Sequence, residues 1–362
     1  MNILGIETSC DETAMSIIDG TGKILSHCIV SQIDIHKEFG GVVPEVASRN
    51  HLDVIDLVFL KTLADAGLEA NDLDVVSATV GPGLIGSVIV GTVFAEALSS
   101  ILGKPFVAVN HLEAHALTCR LTDGLAFPYC LFLLSGGHCQ ILRVNGVGDY
   151  DKIGETLDDS LGETFDKVAQ MLGLQYPGGP RIEQMAKSGD EHRFKFPRPL
   201  IDGRNTGQVD GMKLNFSFSG LKSAIRREIG KIIGGNLSGE QIGSISKKTI
   251  EDVSASFQRT VVEILSDRLQ NVISLDRSID TFVVAGGVAA NQYIKDKLRA
   301  VCLENGCRLV VPPIGLCTDN GVMVANAALE RYGMGFIDSL GVIPRAKWEL
   351  EELKNYVYNR LS

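Results

Sequence analysis

Two histidines stand four residues apart in the stretch VNHLEAHALTCRL, which runs from Val109 to Leu121. The preceding run PFVAV is typical of a strand, and Asn110 is a favourable residue at the start of a helix. In a helix that begins there, His111 and His115 lie one turn apart on one face, where both can bind one metal ion. Two plain surface histidines are the alternative, and a metal site needs a third ligand from another part of the chain.

Glu113, between the two histidines, argues against a zincin protease. Zincins carry the pattern H-E-x-x-H, in which the glutamate directly follows the first histidine. Glu113 follows His111 by two positions, about 200° around the helix, and therefore points away from the metal. Because Glu113 lies three residues after Asn110, we predict a capping box in which its side chain accepts a hydrogen bond from the Asn110 amide. A metalloprotease is disfavoured.

The composition indicates a globular protein with room for two domains. The chain has 362 residues, of which 45% are hydrophobic and 22% charged. Its first residues, MNILGIETSCDETA, lack the basic segment of a signal peptide, and no run approaches the ~20 apolar residues of a membrane span. The eight cysteines include no C-x-x-C pair, which predicts reduced, mostly buried thiols in the cytoplasm. The net charge of −10 argues against indiscriminate nucleic-acid binding and leaves open a local basic patch.

Strand and helix patterns alternate along the chain, which predicts an α/β fold. We expect strands at the runs ILGIE, AMSIID, KILSHCIVS, LDVVSATV, PFVAV, YCLFLL, CQILRV, DTFVVAG and CRLVVP. We expect helices near residues 44–66, 84–102, 110–121, 158–173, 246–273, 289–305 and 320–332. The segments ILGIETSCDETAMSIID and CLFLLSGGHCQILRV share a strand–turn–strand pattern, as if one unit were used twice. Residues 176–246 are rich in glycine, proline and charge and indicate an insertion with short helices.

Glycine-rich turns offer several places for phosphate groups. GPGLIG matches G-x-G-x-x-G, but residues 97–112 contain no acid for a ribose, which argues against a dinucleotide site. A Walker sequence G-x-x-x-x-G-K-[ST] is absent. LLSGGHCQ is a predicted hairpin tip, and YPGGP and VVAGGVAAN each place two glycines before a helix, the first helix starting near Arg181. Two hairpin tips and two Gly–Gly turns resemble the two-lobed actin–hexokinase–Hsp70 ATPase superfamily (ASKHA).

Eight motifs follow one another in the order of a single family: GIETSCDETA, GPGLIGS, VNHLEAHAL, LSGGHCQI, GETFDKVAQMLGLQYPGGP, FSFSGLKSAI, VVAGGVAAN and CTDNGVMVA. Over residues 3–332 the chain resembles the bacterial tRNA N6-adenosine threonylcarbamoyltransferase subunits, the TsaD (Gcp) family, formerly called O-sialoglycoprotein endopeptidases. The resemblance implies transfer of a threonylcarbamoyl group from threonylcarbamoyl-AMP to N6 of adenosine 37 in tRNAs that read ANN codons. It implies a first ASKHA lobe at residues 1–124, completed by a C-terminal helix at 320–345, and a second lobe at 125–319 with the insertion at 176–246.

The resemblance also implies the site residues. Asp319 matches the third metal ligand beside His111 and His115, although by itself it is equally well explained as a helix cap. Two histidines and one carboxylate suit one divalent ion, in the first place Fe²⁺, with Zn²⁺ or Mg²⁺ as alternatives. Asp11 and Glu12 are catalytic candidates that order a metal-bound water or polarise the amine, unless they cap a turn. The substrate positions, which also suit ATP, ADP or AMP, are Leu134, Ser135, Gly136, Gly137, His138, Asp166, Gly179, Asn291 and Glu183, the last standing where many members have aspartate.

A basic segment follows the predicted nucleoside-binding Gly179. Between residues 193 and 231, nine Lys/Arg against three acids give a local charge of +6, which suits phosphate contact. We predict that tRNA docks at Arg193, Lys195, Arg226 and Arg227. Four phenylalanines among the charges predict base stacking, unless they are core and the charges a solvated face: Phe194, Phe196, Phe216 and Phe218.

The resemblance implies several partners besides tRNA. These are a small inactive paralogue (TsaB-like), an ATPase subunit (TsaE-like) and a separate threonylcarbamoyl-AMP synthase, with no membrane contact. The apolar helix around His51 to Gly67 is the predicted docking face of the paralogue, unless its apolar stripe is core. Two alternative functions remain, a small-molecule kinase of the same superfamily and a non-catalytic nucleotide-binding scaffold. A kinase function would give no role to the two histidines, His111 and His115, on one helix.

Overall fold

The computed structural model describes residues 1–202, 213–235 and 242–354. They form two compact units. The first unit comprises Met1–Phe127, Val144–Asp151 and the chain from Pro312 onward, and the second comprises Pro128–Arg143 and Lys152–Val311. Arg204 and Asp210 of the predicted basic segment lie outside the described residues.

The described residues contain ten strands and ten α-helices. The strands are β1 (Asn2–Glu7), β2 (Glu12–Asp19), β3 (Ile24–Ser31), β4 (Val75–Gly81), β5 (Phe106–Asn110), β6 (Tyr129–Leu134), β7 (Cys139–Gly146), β8 (Asp149–Glu155), β9 (Thr281–Ala285) and β10 (Arg308–Val310). The helices are α1 (Ile33–Lys37), α2 (Pro44–Ala66), α3 (Ile85–Leu102), α4 (His111–Asp123), α5 (Leu161–Met171), α6 (Gly178–Ala186), α7 (Ser219–Ile233), α8 (Lys247–Leu275), α9 (Gln292–Glu304) and α10 (Gly321–Gly333).

The first unit contains a five-stranded sheet of order β3-β2-β1-β4-β5. β1 pairs antiparallel with β2 and parallel with β4, and β4 pairs parallel with β5. Helix α10 packs closely on β1 at Gly5. A Cβ atom at this position would lie only 2.3 Å from the Ala325 amide nitrogen, so only glycine fits. This close approach brings Asp319, just before α10, within electrostatic range of Glu7 at the end of β1.

A second five-stranded sheet has the order β10-β9-β6-β7-β8, and it belongs to the second unit except for the parts of β7 and β8 within Val144–Asp151. β6 pairs parallel with β9, and β9 pairs parallel with β10. Starting from β8, this sheet repeats the strand order of the first, which confirms that one strand–turn–strand unit is used twice. β8 is not among the predicted strands, because in DYDKIGE only Tyr150 and Gly154 are buried and its apolar pattern is weak.

The predicted helices and reduced cysteines are confirmed, with differences in the insertion and at the C-terminal helix, which ends at Gly333 and not at residue 345. All eight cysteines are free, and six are buried. The helix predicted near Arg181 starts at Gly178. The expectation of short helices in the insertion is wrong for α7, which spans 15 residues because Leu221, Ile225 and Ile229 bury one continuous stripe.

Helix α3 departs from the expectation that no segment approaches a membrane span. Its 18 residues are long and apolar enough to cross a membrane by length and composition alone, as holds for no other helix of the described residues. One such helix is weak evidence, since the core helix of a globular protein passes the same test, and 39% of α3 is buried.

Candidate functional site

Helix α4 presents both histidines on one face, as their spacing predicts. The side-chain oxygen of Asn110 caps this helix by accepting hydrogen bonds from the amides of Leu112 at 2.8 Å and Glu113 at 3.3 Å. The imidazole rings of His111 and His115 are buried, with centroids 4.7 Å apart. The helix therefore directs two nitrogen ligands to one place.

Asp319 meets these histidines from the loop before α10. Its Oδ1 lies 3.0 Å from His115 Nε2 and 3.5 Å from His111 Nε2, and the three ligand atoms lie within 4.8 Å of one another. The helix cap of α10 is Asn320, which accepts a hydrogen bond from the Met323 amide, so the capping alternative for Asp319 is wrong. Two imidazole nitrogens and one carboxylate fit a divalent ion with open coordination positions.

Glu7 holds the opposite nitrogen of His111. Its Oε2 lies 3.1 Å from His111 Nδ1 and accepts a hydrogen bond from the Thr79 hydroxyl, while its Oε1 accepts one from the Ser9 amide at 2.6 Å. Because a carboxylate accepts, Nδ1 carries the proton and Nε2 is directed to the ion. Glu7 is a site residue that the sequence analysis lacks. Its one signal is a charged residue at the end of the apolar run ILGIE.

Charge within this cluster shifts the pKa values of both partners. Burial opposes the charged form of His111, but the carboxylates of Asp319 and Glu7 outweigh it and raise the pKa of His111 to about 9. Burial likewise opposes ionisation of Glu7, but His111 lowers the pKa of Glu7 below its usual value. Since a metal binds the unprotonated nitrogen, the ion has to replace a proton on His111 at neutral pH.

The predicted capping box at Glu113 is wrong. Its Oε1 accepts hydrogen bonds from the Gly148 amide at 2.9 Å and the Tyr150 hydroxyl at 3.0 Å, and its Oε2 lies 2.5 Å from Arg331 Nε. Glu113 and Arg331 are both fully buried. The buried carboxylate of Glu113 pairs with the buried guanidinium of Arg331 and not with the Asn110 amide, because an unpaired buried charge would lower the stability of the fold. The expectation that Glu113 points away from the metal is confirmed.

Asp11 and Glu12 lie where the chain leaves the β1–β2 turn. Glu12 begins β2, and the backbone carbonyl of Asp11 accepts a hydrogen bond from the Gln32 amide at 3.0 Å. Burial, followed by the charges of Asp11 and Asp319 and a hydrogen bond with Asp11, raises the pKa of Glu12 to about 10. The influence of Asp319 places this pair in the field of the histidine cluster.

The loop of Leu134 to His138 joins β6 to β7 in the second unit. It is closed by hydrogen bonds from the Ser135 amide to the His138 carbonyl at 2.8 Å and from the His138 amide to the Ser135 hydroxyl at 3.0 Å. Gly136 and Gly137 are exposed at its tip, and their amides donate no hydrogen bond to any described residue. These two amides are therefore directed at solvent, where an anionic group can be bound.

The predicted nucleoside-binding residues lie around the first turns of α6 and α9, also in the second unit. Asp166 accepts a hydrogen bond from the Gly178 amide at 2.7 Å, next to Gly179, which has open space where a Cβ would be. Glu183 accepts a hydrogen bond from the Gln292 amide at 2.8 Å. Asn291 caps α9 and donates to Gln258 at 2.8 Å. The side chains of Asp166, Glu183 and Asn291 thus each have a hydrogen-bond partner within the protein.

The basic segment contains both exposed charge and core. Arg193, Lys195, Arg226 and Arg227 are exposed. Lys222 pairs instead with Asp159. Exposure is what contact with a phosphate backbone requires, and all four predicted docking residues have it.

Base stacking by three of the four phenylalanines is wrong, because they are core residues. Phe196, Phe216 and Phe218 are buried, and the rings of Phe216 and Phe218 stack with centroids 5.9 Å apart. Phe194 is half-buried, with the guanidinium of Arg193 5.8 Å from its ring centroid.

Fold and site together define an ASKHA-type α/β protein with a His–His–carboxylate cluster that could hold a metal ion. A family model for "TsaD: tRNA N6-adenosine threonylcarbamoyltransferase" matches residues 23–326. A tRNA N6-adenosine threonylcarbamoyltransferase of Methylocapsa acidiphila is 51% identical over 359 residues, covering 97% of each chain. One of Rickettsia rickettsii (strain Sheila Smith) is 48% identical and covers 98% of this chain and 100% of its own. The chain belongs to the TsaD family of tRNA N6-adenosine threonylcarbamoyltransferases.

Solved structures with low identity support the fold alone. Full-length HypF in its phosphate- and nucleotide-bound form aligns with a TM-score of 0.56 at 16% identity, over 92% of this chain and 47% of its own. Component A of the Acidaminococcus fermentans (R)-2-hydroxyglutaryl-CoA dehydratase aligns with a TM-score of 0.52 at 13% identity, over 92% and 98%. The predicted ASKHA fold is confirmed.

Proposed function

We propose that this chain transfers the threonylcarbamoyl group from threonylcarbamoyl-AMP to N6 of adenosine 37 in tRNAs that read ANN codons. The convergence of His111, His115 and Asp319 in a chain of this family carries the proposal. In the reaction the N6 amine attacks the carbamoyl carbon and the bond from that carbon to the phosphate oxygen breaks. AMP leaves, and the amine gives up one proton.

His111, His115 and Asp319 would hold the ion, and Fe²⁺ is the ion that we propose. When bound, it supplies positive charge and Lewis acidity for oxygens of the adenylate. Glu7 contributes by keeping the proton on Nδ1 of His111, which directs Nε2 to the ion.

The remaining residues bind the substrate and accept the proton. Gly136 and Gly137 offer amides to the phosphate or carbamoyl oxygens. Asp166, Gly179, Glu183 and Asn291 bind the nucleoside, and one Glu183 oxygen stays available for a ribose hydroxyl because the Gln292 amide uses the other. The carboxyl groups of Asp11 and Glu12 polarise the incoming amine and receive its proton.

The tRNA docks, in this proposal, on Arg193, Lys195, Arg226 and Arg227. What supports this surface is its exposure and the local excess of positive charge in a chain of net charge −10. Such residues contact phosphates and position the RNA without reading its sequence.

The small paralogue docks on an apolar face formed by α2 and α3. Phe59 and Phe94 pack edge to face between these helices, with centroids 5.6 Å apart. The exposed apolar side chains of these two helices are Leu52, Leu57, Leu60, Ile85, Ile89, Val93 and Ile101. An exposed apolar face of this kind is typical of an interaction site.

Substitution of this face tests the pairing. We expect that Leu60→Glu with Val93→Glu abolishes binding of the purified paralogue in titration calorimetry, because two charges would be buried in an apolar contact. Leu303→Glu, at a residue 77% exposed on α9, is the matched control and should leave binding unchanged. Full affinity in the double variant would place the paralogue elsewhere.

Activity is expected in the cytoplasm and only in the assembled system. We expect the purified chain alone to be nearly inactive, and to work with the paralogue, the ATPase subunit and the synthase that makes the adenylate. The decisive test is mass spectrometry of tRNA nucleosides after depletion of this protein, with re-expression of the native chain or of His111→Ala. Loss of threonylcarbamoyladenosine that only the native chain restores supports the proposal. An unchanged nucleoside level refutes it.

A further inference from the structure

A buried polar network lies beneath the turn that carries Asp11 and Glu12. On α2, His51 has no exposed surface, and its Nε2 lies 3.0 Å from the carbonyl oxygen of Cys10. Its Nδ1 lies 2.7 Å from the Thr13 hydroxyl. A carbonyl only accepts hydrogen bonds, so Nε2 carries the proton and Nδ1 accepts from Thr13. Burial lowers the pKa of His51 below its usual value, in agreement with a neutral ring.

Gln32 and His36 extend the network to the other side of the turn. The backbone amide of Gln32 donates to the Asp11 carbonyl at 3.0 Å, and its side-chain nitrogen donates to the Ala47 carbonyl at 3.3 Å. His36 Nδ1 accepts from the Val43 amide at 3.3 Å, so its Nε2 donates to Gln32 Oε1 at 3.2 Å. Both side chains are buried. The backbone carbonyls of Cys10 and Asp11 are thus both held by donors from outside the turn.

We infer that His51 is a positioning residue for the transfer reaction, because it fixes through the Cys10 carbonyl the turn in which Asp11 and Glu12 present their carboxyl groups. The inference rests on the proposed role of those two carboxyl groups. An apolar side chain would fill the same buried volume without needing polar partners. The hydrogen bonds of His51 instead reach Cys10 and Thr13, the residues that flank the carboxylate pair on either side.

Two amide substitutions separate a positioning role from a merely structural one. The amide of His51→Gln reaches the place of Nε2 and can still donate to the Cys10 carbonyl, whereas that of His51→Asn reaches only the place of Nδ1. In the full chain reconstituted with its partners and tRNA, we expect His51→Asn to lower kcat roughly 10- to 100-fold, since small misplacements of reacting groups cost that much. KM for tRNA and metal content should stay close to native. His51→Gln should keep kcat within about threefold.

A matched control uses a histidine outside the turn. His27 is exposed on β3 and bonds Ser16 at 2.9 Å, so His27→Asn should leave kcat unchanged. Should His51→Asn fail to fold, Thr13→Val provides a second variant. It removes the hydroxyl that donates to His51 Nδ1 with almost no change of shape, and it should also lower kcat.

The same assay separates this inference from the proposed roles of the carboxyl groups. Asp11→Asn should be slow, and adding His51→Asn to it should slow it little further, because both act on one group. The inference fails if Asp11→Asn is slow while His51→Asn and Thr13→Val are as fast as native. It also fails if the Gln and Asn variants lose kcat and thermal midpoint together. Full activity of both Asp11→Asn and Glu12→Gln would overturn the proposed role of the pair, and the inference with it.

Discussion

Replacement of Glu113 by alanine tests the buried ion pair that the structure shows in place of a capping box. Glu113 and Arg331 are 0% and 1% exposed at their side chains, and 2.5 Å separates the carboxylate from Nε. Burial opposes the charge of Arg331, but the carboxylate of Glu113 outweighs it and raises the pKa of Arg331 above its usual value. In the alanine variant the guanidinium stays charged and buried without this partner.

The expected loss of stability follows from that uncompensated charge. Breaking a buried pair by removing one partner costs about 3–5 kcal/mol of the free energy of unfolding. The Gly148 amide and the Tyr150 hydroxyl also lose their acceptor, which places the estimate at the upper end of about 3–5 kcal/mol. Loss of a helix cap alone would cost about 1 kcal/mol. The ion-pair and capping explanations therefore predict measurably different losses in the free energy of unfolding.

Urea unfolding of the native and variant chains measures the difference. Glu113→Leu combined with Arg331→Met should recover most of the lost stability, because an apolar pair of similar volume replaces a buried ion pair at little cost. Asp65→Asn, which breaks the exposed pair with Lys61, should leave the unfolding midpoint unchanged. A loss near 1 kcal/mol in Glu113→Ala, or a double variant less stable than the single one, would refute the ion-pair explanation.

Three further predictions concern the ion and the tRNA. His111→Ala and Asp319→Ala should each lose the bound metal in elemental analysis and abolish transfer, while the circular dichroism spectrum stays native. A variant that retains the metal would exclude the substituted residue as a ligand. Because the pKa of His111 is about 9 without the ion, metal affinity should rise with pH up to about 9, and calorimetry in buffers of different ionisation enthalpy should show proton release at pH 7. Affinity independent of pH would contradict this. Reversal of Arg226 and Arg227 to glutamate should weaken tRNA binding and lower the slope of log Kd against log salt by about 2, about one per phosphate contact, while metal and nucleotide binding stay native. An unchanged slope would remove this pair from the docking surface.

Local patterns predict the sheets and the helix of the two histidines well. The strands of the first unit are apolar runs, and Asn110 caps α4 through the local hydrogen bonds that its residue type predicts. Phe216 and Phe218 could also have been assigned to the core from the sequence, since the alternation in FSF has the period of a strand. The structure agrees, because Phe216 forms a bridge with Thr156. Local patterns could not predict the partners of Glu7 and Glu113, because these partners are distant in the sequence. Arg331 is 218 positions from Glu113, and His111 is 104 from Glu7.

That long-range pairing also explains why a glutamate beside two histidines does not make this chain a protease. A zincin needs an ionised glutamate free to take a proton from a water on the metal. Here both oxygens of Glu113 are engaged, one by the Gly148 amide and Tyr150 and the other by Arg331, and the side chain is fully buried. The glutamate that does contact a histidine is Glu7, which meets His111 at Nδ1, whereas Asp319 lies on the side of Nε2. Glu7 orients the ligand and is not placed to activate a water. The cluster of His111, His115 and Asp319 therefore suits an ion that polarises a bound substrate.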